Sequence, residues 1–159
     1  MKHFIALLLL GGLLAPTAVG QSTIFIVRHA EKARGGGDDP VLSEAGQARA
    51  ESLANLLKDA GISAIYTSEV KRTRQTAAPL ARTLHLEPTI VAAKDRVALM
   101  AKLADSPGNV LVVGHSNTIP DLIKSLGIAA PVTIADNDYD DLFVVIRGEK
   151  PRVLKLHYR

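Results

Sequence analysis

The stretch TIFIVRHAE (residues 23–31) places an apolar run directly before an arginine and a histidine. A second stretch, VLVVGHSN (residues 110–117), also runs from apolar residues into a histidine, His115. Continuous runs of β-branched and aliphatic residues are typical of strands buried on both faces of a parallel sheet. Ligands bind such sheets where the strands end at their carboxyl edge. The two stretches therefore predict a parallel sheet that carries Arg28, His29 and His115 at one edge.

Helical patterns alternate with strands along most of the chain. Ser43 is predicted to cap a helix that runs to Lys58 or Asp59. Its apolar stripe comprises Leu53, Leu56, Leu57 and Ala60. Residues 62–67 are predicted as a strand, and Ser68 as the cap of the helix after it. This alternation is typical of an α/β fold.

The second half of the chain continues the alternation and then changes. We expect a short strand over residues 89–92 and a helix that Asp95 caps and that extends through Leu103. The second histidine strand follows, and then a helix that opens near Ile119. Two apolar runs, residues 142–146 and 153–158, flank a glycine-containing loop, which is typical of a hairpin. The predicted architecture is a three-layer αβα sandwich with a mostly parallel mixed sheet and a C-terminal antiparallel hairpin.

Residues 1–20 have the layout of a secretory signal. A short basic start precedes an apolar stretch and a small-residue segment that ends at Gly20. The apolar stretch is shorter than the roughly 18 residues that a membrane span requires, so we expect cleavage and no stable membrane insertion afterwards. This predicts a single domain over residues 21–159, exported to the periplasm or secreted.

The composition excludes several classes of protein. There are 19 basic and 16 acidic side chains, without a long basic stripe, and three Tyr and three Phe that are scattered. That pattern does not fit a nucleic-acid-binding protein. The chain contains no cysteine, which excludes disulfides and a lipid-attached lipoprotein. No motif predicts a cofactor.

The residue types at the predicted sheet edge are suited to phosphoryl transfer. His29 is the candidate nucleophile, because a neutral imidazole nitrogen can attack phosphorus and form a phosphohistidine. Arg28 beside it favours the unprotonated imidazole and supplies a fork for phosphate oxygens. A third cation is expected from the start of the helix after residue 68. Periodicity alone leaves Lys71, Arg72 and Arg74 open for that place.

The chain resembles the histidine phosphatase superfamily, which is also called phosphoglycerate mutase-like. The strand-end Arg-His of that family matches IVRHAE (residues 26–31). Its second motif, a serine four residues before an arginine and a threonine four residues after it, matches Ser68, Arg72 and Thr76. Its third motif, an apolar strand that leads into a histidine, matches VVGHS (residues 112–116). The resemblance covers nearly all of the chain after the predicted signal.

The resemblance implies a metal-free phosphate pocket and a phosphorylated substrate. The pocket would contain Arg28, His29, Arg72 and His115, with His29 transiently phosphorylated. The substrate would be a phosphorylated small molecule or a phosphoprotein. Family members commonly have glycine where this chain has Ala30. The residues after the two histidines do not match the phytase and acid-phosphatase branch, and mutases usually have a larger insertion over the pocket.

A general acid that protonates the leaving group is also expected. Asp95 lies in the region where mutase-like relatives place their acid, although a helix cap is the simpler interpretation of this residue. Glu31 and Glu87 are lesser candidates. The acid is dispensable where the leaving group is itself good, as in phosphohistidine phosphatases.

Further features allow other interpretations. The glycine run at residues 35–37 is interpreted as a mobile lip over the pocket, and the acidic run at residues 136–141 as a solvated loop that borders it. One alternative function is a non-catalytic module that binds phosphorylated ligands, and another is a mutase-type phosphotransferase. A zinc site on His29 and His115 is disfavoured, because no third His or Cys lies nearby in the sequence.

Overall fold

The computed structural model describes residues 22–35 and 37–159. The predicted secretory signal, residues 1–20, lies outside the described residues. The strands are β1 (Thr23–Arg28), β2 (Ile62–Thr67), β3 (Thr89–Ile90), β4 (Asn109–Gly114), β5 (Asp141–Ile146) and β6 (Arg152–His157). The helices are α1 (Glu44–Leu57), α2 (Lys71–Leu84), α3 (Arg96–Asp105) and α4 (Ile119–Ser125).

The strands within the described residues form one mixed sheet in the order β3-β2-β4-β1-β5-β6. The pairs β3–β2, β2–β4 and β4–β1 are parallel. The pairs β1–β5 and β5–β6 are antiparallel. The predicted mixed sheet and its C-terminal antiparallel hairpin are therefore confirmed. The predicted strand over residues 89–92 is shorter than expected, with two residues in β3.

Helices cover both faces of the sheet and complete the predicted three-layer sandwich. Ile26 and Val27 are neighbours in β1, so their side chains point to opposite faces of the sheet. One apolar cluster joins α1 and α2 to the sheet and includes Val27, Leu53, Leu80 and Leu111. The other cluster joins α3 and α4 to the sheet and includes Ile26, Leu103, Val112 and Ile123. None of the helices in the described part of the chain has the length and apolar character needed to cross a membrane.

Helix α1 begins as its sequence predicts. The side chain of Ser43 accepts a hydrogen bond from the Gly46 N–H and satisfies one of the free donors at the helix start. The predicted apolar stripe is correct for Leu53 and Leu57, which are buried, but wrong for Leu56, which is 53% exposed. Leu56 is apolar without facing the core, and an isolated exposed leucine is common on protein surfaces.

Helix α2 begins later than predicted. Its N-cap residue is Val70, whose side chain makes no capping hydrogen bond. The prediction that Ser68 is the cap is therefore wrong. Asp39 replaces it from a distant loop, because its Oδ1 atom accepts a hydrogen bond of 2.9 Å from the Lys71 N–H. The hydroxyl of Ser68 is therefore free to bond elsewhere.

The start of α1 is docked on the backbone next to the first histidine. The Ser43 N–H donates a hydrogen bond of 2.9 Å to the Glu31 carbonyl oxygen. Gly46 lies against the same carbonyl, and a Cβ atom added at this position would collide with it. Gly46 is therefore required by the close approach of α1 to residue 31.

We expect Gly46→Ala to lower the free energy of unfolding by about 1–3 kcal/mol, the usual cost of overpacking. Helix propensity alone would give the opposite sign, because alanine is favoured over glycine in helices by roughly 0.5–1 kcal/mol. Urea denaturation measures the difference. Gln47→Ala, at the exposed neighbouring position, is the control and should leave stability nearly unchanged. Equal or higher stability of Gly46→Ala would contradict the docking.

Candidate functional site

The register between β1 and β4 places the two predicted histidines side by side. Arg28 pairs with Gly114 in the parallel ladder. The next residue on each strand is a histidine, and the His29 N–H donates a hydrogen bond of 2.9 Å to the Gly114 carbonyl. The rings of His29 and His115 lie 5.4 Å apart between centroids, at an angle of 64°. The structure therefore brings together the two imidazoles that the sequence places 86 residues apart.

His29 is held in one tautomer. Its Nδ1 atom lies 2.8 Å from the Ala30 carbonyl oxygen. A carbonyl only accepts hydrogen bonds, so Nδ1 carries the hydrogen and Nε2 keeps the lone pair. The pKa of His29 is lowered from 6.5 to about 4, mainly because the ring is buried. The hydrogen bond to the Ala30 carbonyl acts in the opposite direction. The charges of His115, Arg72 and Arg28 add to the lowering. A neutral imidazole with a free Nε2 lone pair is the form that acts as a nucleophile.

His115 is also buried and neutral near pH 7. Its Nε2 atom lies 2.9 Å from the Ser68 hydroxyl oxygen. Burial lowers the pKa of His115 to about 4, and the guanidinium of Arg72 acts in the same direction, whereas the carboxylate of Glu69 opposes them. The family motif serine of the sequence therefore serves as a partner of the second histidine.

Arg28 is fixed by a loop that the sequence places more than 100 residues away. Its Nη1 atom donates hydrogen bonds to the carbonyl oxygens of Ala135 and Asp136, at 3.0 and 2.9 Å. The ring of Tyr139 lies 4.2 Å from the Arg28 guanidinium carbon. The Arg28 Nε atom is buried and has no hydrogen-bond partner among the described residues. The guanidinium is thus oriented by backbone oxygens on one edge and by an aromatic ring on its face.

Arg72 is the cation that α2 contributes. Its side chain is 19% exposed and lies near the carboxylate of Asp39, with Nη1 and Oδ1 4.0 Å apart. It lowers the pKa of both histidines, whereas the residues Lys71 and Arg74 are exposed. Thr76 ties this turn of α2 to the end of β1, because its hydroxyl accepts from the Ala30 N–H at 2.9 Å and donates to the Arg72 carbonyl at 2.8 Å.

Comparison with known proteins agrees with this geometry. Residues 24–95 match the family model described as the histidine phosphatase superfamily (branch 1). This match contains Arg28, His29 and Arg72 and ends before His115. Over these residues the chain is similar to the histidine phosphatase superfamily.

One curated relative is the 8-oxo-(d)GTP phosphatase of Mycolicibacterium smegmatis. The two sequences are 32% identical over an alignment of 121 residues, and the match covers 67% of this chain and 38% of the relative. The chain therefore spans less than two fifths of the length of that protein.

Solved structures of phosphatases have the same fold. The protein histidine phosphatase SixA in complex with tungstate is similar with a TM-score of 0.66 and 20% identity, over 85% of this chain and 96% of that one. A mycobacterial glucosyl-3-phosphoglycerate phosphatase is similar with a TM-score of 0.65 and 15% identity, over 83% and 96% of the two chains.

The acid candidates occupy different environments in the structure. Asp95 is an exposed helix cap, and its Oδ1 atom accepts from the Ala98 N–H at 2.9 Å. It also lines a mainly apolar cleft next to His115, together with Ser68 and side chains such as Val91 and Leu99. The role of Asp95 as an acid stays a prediction.

The two lesser acid candidates are less suited to proton donation. Burial acts to raise the pKa of Glu31, but hydrogen bonds from Arg49 and the Glu31 backbone, with the Arg49 charge, lower it overall. Arg49 donates to this carboxylate from Nε at 2.9 Å and from Nη2 at 2.7 Å. Its Nη1 atom donates to the Tyr158 carbonyl at 3.1 Å. Glu87 is exposed beyond the C-terminal end of α2.

Several residues near the site were missed by the sequence analysis. Tyr139 was included in an acidic run interpreted as a solvated loop; the run does border the site, but it does so through backbone carbonyls and this aromatic ring. Glu69 also went unnoticed, although its carboxylate lies close enough to affect the pKa of His115. The loop with the glycine run contributes Asp39, and the mobility of its tip stays a prediction.

Possible metal ligands come together among the described residues at a place that does not include the imidazole pair of His29 and His115. Among the described residues, Asp140, Asp141 and His157 place ligand atoms within 4.8 Å of one another. Neither His29 nor His115 belongs to this group. The ammonium group of Lys155 lies 3.0 Å from the Asp141 Oδ1 atom, so an ion pair already balances the buried carboxylate.

The lowered pKa values predict how stability changes with pH. The pKa of each buried histidine is lower in the folded chain than its usual 6.5. As the pH falls from 6.5 to about 4, the unfolded chain takes up these protons first, so the two histidines reduce stability in that window and not above it.

We therefore expect the urea midpoint to fall less steeply over this window in a His29→Asn/His115→Asn double variant than in the native chain. His85→Asn, which alters an exposed histidine, is the control and should keep the native slope. Parallel pH dependence of the double variant and the native chain would contradict the lowered pKa values.

Proposed function

We propose that this chain is a phosphatase that hydrolyses a phosphomonoester or a phosphohistidine through a phosphohistidine intermediate on His29. The observation that carries the proposal is the state of His29, which is neutral, has its hydrogen on Nδ1 and is surrounded by Arg28, Arg72 and His115. Phosphatase relatives with the same fold support the reaction class.

The chemistry divides into two displacements. In the first, the Nε2 lone pair of His29 attacks phosphorus, and the bond between phosphorus and the leaving atom breaks. That atom, the oxygen of a phosphomonoester or the ring nitrogen of a phosphohistidine, departs with the bonding electrons and takes a proton. In the second, water attacks the phosphohistidine, the P–N bond breaks, and phosphate leaves with the water oxygen while His29 regains its lone pair. Splitting hydrolysis in this way replaces one difficult step with two easier ones.

The cations around His29 would stabilise the charge on the transferred group. Arg28 is oriented by loop carbonyls before any ligand arrives. Arg72 approaches from the start of α2, and His115 lies across from the nucleophile. Donors that are fixed before the reaction stabilise developing charge without reorganisation, which is usually the largest contribution to catalysis of this kind.

The proton for the leaving oxygen is assigned to Asp95 as part of the proposal. This carboxylate lines the cleft that adjoins His115. Substrates with a good leaving group, such as phosphohistidine, would need it least. The natural substrate is proposed at the level of a phosphorylated small molecule or phosphoprotein, met outside the cytosol if the N-terminal segment directs export. The name of the mycobacterial relative adds oxidised nucleotides to the substrates worth assaying.

We expect His29→Ala to reduce turnover of an aryl phosphate by at least about a thousandfold, because the attacking atom is lost. Rapid quench into alkali with a substrate labelled on phosphorus should trap a labelled native chain and no labelled His29→Ala chain. His85→Asn is the matched histidine control and should label like the native chain. Turnover of His29→Ala at the native rate, or label on another residue, would rule out this nucleophile. A native chain that binds phosphate and never becomes labelled would point instead to a binding module.

We also expect turnover to be insensitive to EDTA, because the proposed chemistry uses two imidazoles and two guanidiniums rather than a Lewis acid. The measurement is the rate after chelation and gel filtration, with and without added zinc. Loss of activity that zinc alone restores would favour His29 and His115 as metal ligands and would overturn the metal-free mechanism.

A further inference from the structure

We propose that Ser68 and Thr73 are positioning residues that keep the hydrogen of neutral His115 on Nε2, so that an oxyanion binds His115 only with the uptake of a proton. The part of this proposal that concerns anion binding rests on the proposed function. The part that concerns the tautomer stands on the hydrogen bonds alone.

The direction of the hydrogen-bond chain is set at Thr73. Its hydroxyl oxygen lies 2.9 Å from the Val70 carbonyl oxygen and 3.1 Å from the Ser68 carbonyl oxygen. Both carbonyls only accept, so the hydroxyl hydrogen of Thr73 must point to them. Thr73 is fully buried, and water does not reach it. The Thr73 hydroxyl therefore has only a lone pair left for its third neighbour.

That third neighbour is the hydroxyl of Ser68, 2.9 Å away. Ser68 has one hydrogen, and it is donated to Thr73 because Thr73 has no hydrogen to offer in return. The Ser68 oxygen then faces the His115 Nε2 atom at 2.9 Å as an acceptor. Ser68 is 5% exposed, so solvent does not readily substitute for these partners. Nε2 of His115 must therefore carry the hydrogen.

This geometry gives the two histidines opposite tautomers. The Ala30 carbonyl holds the hydrogen of His29 on Nδ1, and the hydroxyl chain holds that of His115 on Nε2. The nitrogen of His115 that is left for a ligand is Nδ1, and in the neutral ring it presents a lone pair. A lone pair repels a phosphate or sulfate oxygen. Nδ1 becomes a donor only when the ring takes up a second proton.

The groups that face His115 come from several elements and determine how readily it gains that proton. Arg28 on β1 and Arg72 on α2 oppose protonation, whereas Glu69, between β2 and α2, favours it. His29 lies in contact, and Asp95 lines the adjoining cleft. A bound dianion adds two negative charges next to the ring and shifts this balance towards the imidazolium.

The structure also explains why Ser68 is available for this role. The start of α2 is satisfied by Asp39, so the serine hydroxyl is not needed as a helix cap. Ser68 lies just before α2 and Thr73 lies in its first turn, and the start of the helix brings their hydroxyls together. The serine of the sequence motif acts through His115.

The tautomer is measured directly by the ¹⁵N chemical shifts of the His115 ring nitrogens, since protonated and unprotonated nitrogens differ strongly. We expect the native chain to carry the hydrogen on Nε2. In Thr73→Val the side chain keeps its shape and loses the acceptor. Ser68 can then donate to Nε2, and a substantial fraction of His115 should move its hydrogen to Nδ1. Thr73→Ser restores the hydroxyl and should restore the native tautomer.

Thr83→Val is the matched control, because Thr83 lies in the same helix and its hydroxyl likewise bonds a backbone carbonyl, that of Pro79. Its spectrum at His115 should equal the native one. If Thr73→Val does not fold, Ser68→Ala carries the same prediction, since Nε2 then loses its acceptor. A native chain with the hydrogen on Nδ1, or a Thr73→Val or Ser68→Ala chain with the native tautomer, would overturn the proposal.

Proton uptake is measured with sulfate, which stays dianionic throughout the range used. All chains carry His29→Ala, so that His29 cannot take up a proton itself. With Thr73 present, the Kd of sulfate should rise about tenfold for each pH unit between pH 5 and pH 7, as linkage to one proton requires. With Thr73→Val the rise should be less than about threefold, because neutral His115 can then donate from Nδ1.

Equal slopes with and without Thr73, or a sulfate affinity that does not change with pH in the parent chain, would overturn the coupling. Neither readout depends on turnover. A native chain that never forms phosphohistidine would remove the proposed function and leave the tautomer result intact, so the two failures are distinguishable.

Discussion

The hydrogen bond from the His29 N–H to the Gly114 carbonyl is the constraint on which the site depends. It is the last link of the parallel ladder between β1 and β4, the two strands at the centre of the sheet. A shift of one residue in that register would send one imidazole to the opposite face of the sheet. The apolar residues of both strands prevent such a shift, because each face must match its own helical layer. Core packing thus determines where the two histidines meet.

Burial then determines what the two rings can do. Both histidines lie in a water-poor edge beside two guanidiniums, and this environment disfavours their charged forms. The neutral state of the two histidines lowers the stability of the folded chain in acid. Near neutral pH, the same state preserves a lone pair on each ring. Neighbouring hydrogen bonds select which nitrogen keeps the lone pair in each ring.

Features of the sequence that act locally were predictable. The runs before His29 and His115 gave the central strands, Ser43 gave the start of α1, and the glycine-containing loop near the C-terminus gave the hairpin. Arg72 could be selected only through the family resemblance, because helical periodicity treats it like its neighbours. The part that could not be predicted depends on contacts between distant segments. Periodicity carries no sign that Asp39 would cap α2 and release Ser68, or that Tyr139 would lie on Arg28.

The loop that holds Arg28 has a consequence for which side chains this position tolerates. One nitrogen of the guanidinium is occupied by main-chain oxygens from residues 135 and 136, and a phenol ring covers its flat surface. A planar group with several hydrogens can satisfy these neighbours and still meet an incoming oxyanion, whereas the compact ammonium of a lysine cannot do both. Replacement of Arg28 by lysine would therefore keep the charge and lose these contacts, and the loop between α4 and β5 positions the guanidinium through backbone oxygens and an aromatic ring.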